Sequence, residues 1–201
     1  MRTPVHAAFV VKAIELDGNG PGQWDVRDEL VSTQDLSDDR RMSLPQEALA
    51  LENRSTGAHG EPTLGQAYEI LLADWQRGVR ERELSLHLAF LAWYMLLEPP
   101  FLTGLDQGRP YAATLERVFN EVHDHVAPET THDAEVLYVF GLMAHLSPWL
   151  IGDNAKWEAT SERYRLAYRK LEPKGIAPTV FAGRGYYGEY FAGQVQVKNG
   201  Y

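Results

Sequence analysis

Met95-Leu96-Leu97-Glu98-Pro99-Pro100-Phe101-Leu102-Thr103-Gly104 and Met143-Ala144-His145-Leu146-Ser147-Pro148-Trp149-Leu150-Ile151-Gly152 are the two stretches whose reading decides the fold. They align at an offset of 48 residues, with Met95 on Met143 and Pro100 on Pro148. Downstream, Glu116-Arg117-Val118 aligns with Glu162-Arg163-Tyr164 at an offset of 46, and Pro128 with Pro173 at 45. Self-similarity at such a period is the signature of stacked helical units. Each copy reads as a buried helix stopped by proline, a large apolar pair that plugs the corner (Phe101-Leu102, Trp149-Leu150), a glycine that lets the chain reverse, and an amphipathic helix that packs back. One such hairpin cannot cover its own apolar face, so copies must stack.

Working outward, helical spacing recurs along most of the chain. Leu64, Ala67, Tyr68, Leu71, Leu72 and Trp75 share a face, after a capping box of Thr63 and Gln66. Residues 82–97 and 133–146 are apolar almost all round, which marks central helices. A helix from about 110 carries Leu115, Val118, Phe119, Val122 and Val126 on one side and ends before Pro128. Asp153 is the expected N-cap of a helix over 154–171, with Trp157, Tyr164, Ala167, Tyr168 and Leu171 inward. A short last helix is expected over 186–196. Residues 1–60 are harder to read: 9–16 partly alternate like a strand, 17–22 form a turn, and a second capping box at Ser43 and Gln46 opens a short helix through about Leu51. The expectation is a mainly α protein of stacked antiparallel hairpins, α-solenoid-like or a helical bundle. Residues 1–60 are an irregular or partly β appendage, 61–175 the hairpin domain, and 176–201 the segment that caps the stack.

Over residues 88–173 the pattern resembles the tetratricopeptide repeat. The resemblance rests on Phe140-Gly141, Gly152-Asp153, Tyr164, Ala167 and Leu171-Glu172-Pro173. The unit of 45–48 residues is longer than that family's. The resemblance implies a right-handed stack with a concave groove that holds a peptide or a partner protein.

Composition narrows the function. Apolar residues make up 44% and charged residues 23% of 201, ordinary for a globular chain. The net charge of −9 argues against nucleic-acid binding, which needs clustered cations to displace phosphate counterions. The charge is uneven: residues 61–150 hold 5 basic and 13 acidic groups, and residues 151–201 hold 8 and 5. With no cysteine there is no disulfide, thiolate metal site or thiol nucleophile. No signal peptide is visible, and the apolar runs over 84–97 and 136–146 fall short of a bilayer span, so neither a membrane nor secretion is expected and the cytoplasm is.

No catalytic fingerprint is present, and the reading leans away from an enzyme and expects no cofactor. The leading expectation is a protein-interaction module, of adaptor or immunity type, that binds another protein through a helical groove or an acidic surface. Arg163, Arg169, Arg184, Tyr186, Tyr187 and Tyr190 are the candidate contact residues, since Tyr and Arg anchor interfaces. The alternative is a small-molecule-binding or enzymatic protein with a pocket between the apolar helices, lined by His87, Trp93, Tyr94, His145 and Trp149. A third reading puts a metal on His123, His125 and His132, with Glu121 on the same helix face as His125.

Overall fold

The computed structural model describes residues 44–105, 111–127 and 131–198. These residues all belong to one unit, built from eight α-helices and two 3-10 turns, with no strand among them. The expected strand over 9–16, the turn over 17–22 and Ser43 of the capping box with Gln46 lie outside the described residues. No helix described is long and apolar enough to cross a membrane.

The helices are α1 (Gln46–Arg54), α2 (Leu64–Gln76), α3 (Arg82–Leu97), α4 (Pro100–Thr103), α5 (Ala112–Val126), α6 (Ala134–Leu146), α7 (Asn154–Leu171) and α8 (Gly185–Lys198). Proline stops and caps set these bounds. Glu98 lies in the extended region ahead of Pro99, where proline disfavours helix. Asp133 accepts from the Glu135 and Val136 N–H groups, and Asp153 from that of Lys156. Thr63 departs from its expected role. Its hydroxyl donates 2.6 Å to the Leu51 carbonyl and so ties down the end of α1 instead of capping α2.

Three antiparallel hairpins lie side by side: α1–α2, α3–α5 and α6–α7. Their first helices are neighbours. Glu52 of α1 bonds His87 of α3. Arg82 at the start of α3 pairs with Asp133 ahead of α6, and Trp93 near its end donates to Ser147 just beyond α6. Their second helices are neighbours too, since Trp75 of α2 meets the His125 ring of α5, and Phe119 of α5 meets Trp157 of α7. The α1–α2 hairpin draws residues 44–60 into the domain, with Ala48, Leu51 and Glu52 buried, so this part of the expected appendage is core. The segment over 176–198 does not cap the stack. It crosses the first helices: the Phe191 ring lies 5.5 Å from Phe90 and 6.4 Å from Tyr138. With α8 on one side and the second helices on the other, α3 is buried from Leu84 to Trp93 and α6 from Glu135 to Ala144. That is why both read as apolar all round.

The two corners share a proline-opened turn followed by a glycine at positive φ, but the first is an α turn with Gly104 at +73° and the second a 3-10 turn with Gly152 at +128°. The apolar pairs do not plug them. Phe101 is 70% exposed and Trp149 64%, because each turn aims its second residue outward. Thr103 and Ile151 fill the inside instead. At the first corner the seal is a backbone approach, where a Cβ on Gly104 would sit 1.8 Å from the Pro62 carbonyl oxygen. Gly104→Ala should therefore cost about 3 kcal/mol, from positive-φ strain plus backbone collision. Gly193→Ala, in open space within α8, should gain about 0.5–1 kcal/mol of helix propensity. Urea unfolding of the two variants reads both signs, and equal effects would show that the corner has slack.

Candidate functional site

The densest group of chemically capable side chains sits where α1, α3, α6 and α8 meet. Glu52 has no exposed surface, yet carries a carboxylate. One of its oxygens accepts from His87 Nδ1–H at 2.6 Å and the other from the Tyr187 backbone N–H at 3.1 Å. The backbone of α8 comes this close because residue 185 is glycine at φ +60°, where a Cβ would lie 2.7 Å from Glu52. The Tyr187 ring stacks on His87, with centroids 4.5 Å apart. Its hydroxyl donates to Glu135 at 2.5 Å, and burial followed by the Glu135 charge pushes that phenol well above its ordinary pKa. Arg184 spans Glu83 at 2.7 Å and Glu135, and Arg82 spans Asp133 at 2.7 Å and Glu135 at 2.7 Å. Burial opposes the Asp133 charge, but Arg82 and two backbone N–H groups outweigh it and hold this carboxyl below its usual range.

A His, three Glu and a Tyr are an acid–base repertoire, but here each has a fixed partner and the main surface clefts open elsewhere. The arrangement ties four helices together and pins α8 across the others. Sequence reasoning missed Glu52, Glu83 and Glu135. The available signal was a glutamate, Glu52, on the apolar side of a short helix and a histidine, His87, inside an apolar one.

The candidate contact residues divide. Arg163 and Arg169 are exposed on α7. Arg184 and Tyr187 are held in the polar junction and are not free to meet a partner. Tyr186 and Tyr190 are half-buried in an aromatic group with Phe90 and Tyr94, where Tyr186 and Tyr94 share a hydroxyl–hydroxyl bond of 2.7 Å. The alternative pocket does not assemble. His87 lies in the junction, Trp93 is buried against Ser147, and Tyr94 is among the tyrosines, whereas His145 and Trp149 are exposed on the outer side. The last two line a cleft of about 470 Å³ with Glu158, Ser161 and Arg165. His145 is thus not the buried core group that its apolar helix suggests, since it faces outward at the end of α6.

The three metal-candidate histidines do not converge either. His123 Nε2 lies 2.8 Å from the Tyr164 hydroxyl, which is also 3.1 Å from the Ala127 carbonyl, and His123 Nδ1 lies 3.1 Å from Asp124. His125 lies at the Trp75 ring, and His132 lines a cleft on α6 and α7. Among the described residues no three His, Asp or Glu side chains are grouped to hold a metal ion.

That last cleft is open and mainly apolar among the described residues. It runs along the outer side of the third hairpin, encloses about 720 Å³, and has Leu137, Ala159, Leu166 and Ala167 as its floor and wall. Leu166 is 49% exposed and Leu171 41%. Arg163 and Lys170 stand on its rim. No family model, no curated protein and no solved structure matches this chain.

Two expectations follow from the buried groups. Glu52→Ala should cost about 3 kcal/mol by orphaning His87 and the Tyr187 N–H, and Glu52→Ala with His87→Leu should cost clearly less than the two single changes added. Additive urea-unfolding energies would mean that the pair is uncoupled. Burial holds the His123 imidazole below its ordinary pKa, against the pull of Asp124. The unfolded chain takes up that proton near pH 6.5 and the folded chain resists it. Stability from this group is therefore unaffected above that pH and falls as pH drops through it. His123→Gln should lose less stability than the parent between about pH 7.5 and about pH 5.5. Parallel losses would remove His123 as the cause.

Proposed function

We propose that this chain is a protein-interaction module, an adaptor or immunity-type protein, that docks its partner on the outer side of the α6–α7 hairpin. The single observation that carries this reading is the apolar cleft there, which no described residue covers, with Leu166 and Leu171 exposed beside it. In an array of hairpins each apolar flank is normally covered by the next unit. The first flank of α3–α5 is covered by α1–α2 and its second by α6–α7. The side formed by α1, α3 and α6 is occupied by α8, so a groove on that side is already filled. The reading therefore moves the docking surface from the groove to the end of the stack. An apolar trough between two helices is a surface that a partner's helix can enter.

Leu166→Asp combined with Leu171→Asp should weaken partner binding by thirtyfold or more, the effect of losing an anchor worth about 2 kcal/mol. Phe101→Asp, exposed on a different corner, should leave it unchanged. Quantitative affinity capture from the native extract with the parent and both variants, each checked for fold by circular dichroism, reads the difference. Partners that survive the double variant, or that depend on Phe101, would place the interface elsewhere.

A further inference from the structure

We propose that the α6–α7 cleft receives one amphipathic helix of about three turns from a partner protein, with acidic residues flanking its apolar stripe. This rests on the docking surface proposed above and names its occupant. The cleft residues Ala159, Arg163, Leu166, Ala167 and Lys170 fall on one face of α7, and Leu137 closes the trough from α6. From Ala159 to Leu171 the face is about 18 Å long at 1.5 Å per residue, which matches a partner stripe at i, i+4, i+7 and i+11. The two alanines lower the floor, so that a helix backbone can approach, and Leu166 and Leu171 stand beside it as walls.

The charge on the rim selects the partner. Glu162 also borders the cleft, but it is taken by Arg165 at 2.8 Å. Arg163 and Lys170 form no ion pair among the described residues, in a chain whose net charge is −9. Two cations left beside an apolar trough suit carboxylates on the flanks of the incoming helix. A second copy of this chain is disfavoured, because a two-fold contact through the same patch would bring Arg163 and Lys170 against their own equivalents.

The test uses the full chain and two fluorescein-labelled helical peptides with the same leucine stripe, one flanked by glutamate and one by lysine. Fluorescence anisotropy should show the glutamate peptide binding about tenfold tighter or more, and more weakly as salt rises. Arg163→Glu with Lys170→Glu, both exposed changes, should reverse the preference, and Leu166→Asp should abolish binding of either peptide. Equal binding, no binding, or a preference that survives the charge reversal would overturn the proposal. So would self-association, seen by sedimentation, that Leu166→Asp dissociates, since the occupant would then be a second copy. If native partners are lost in the Leu166→Asp and Leu171→Asp variant while the glutamate peptide fails to bind, the acidic helix falls and the docking surface stands. If native partners are retained as well, both fall.

Discussion

The structure depends on a buried carboxylate. Glu52 is withdrawn from water in a place where an unpaired charge would cost several kcal/mol. Its two oxygens are satisfied by groups from two other helices, His87 Nδ1–H of α3 and the Tyr187 N–H of α8. Neither bond tolerates a shift in helix position. Apolar packing alone lets a helix slide by a fraction of a turn, but a charged acceptor with two directional donors does not. The Arg184 and Arg82 links continue the constraint to α6. The result is a defined seat for α8, and that seat decides which surfaces remain for a partner.

Charge segregation follows from the same arrangement. Residues 151–201 carry an excess of cations, and three of them show two different uses. Arg184 turns inward and neutralises Glu83 and Glu135. Arg163 and Lys170 remain at the rim of the outer cleft. Part of a basic stretch in sequence thus becomes one structural cation and a small cationic border to the outer cleft.

Much of the fold was legible. The limits of α3 and α7 agree with expectation, because proline, Asp153 and the apolar period act locally and leave a direct trace. The proline and the glycine of each corner were equally legible, since these residues constrain dihedral angles wherever they stand. What could not be read was direction. Phe101 and Trp149 are as apolar as any core residue, but they occupy tight turns where the helical period no longer tells inside from outside. His145 is misplaced for the same reason, sitting past the last buried turn of α6. The polar junction was illegible because Glu52, His87, Glu135 and Tyr187 lie far apart along the chain, and only the tertiary arrangement brings them together. The aromatic richness of 181–193 was visible, but its destination was not.

That destination has a consequence for how the molecule is made. Tyr187 follows Glu52 by 135 positions, and the cover it brings reaches α3 and α6 only after both have been synthesised. During translation the ribosome releases two almost wholly apolar rods with one side bare, and they stay bare until residue 191 is in place. Exposed surface of this kind invites chaperones or aggregation in a growing polypeptide. A premature stop near position 180 would spare every hairpin and still leave the nascent product unfinished.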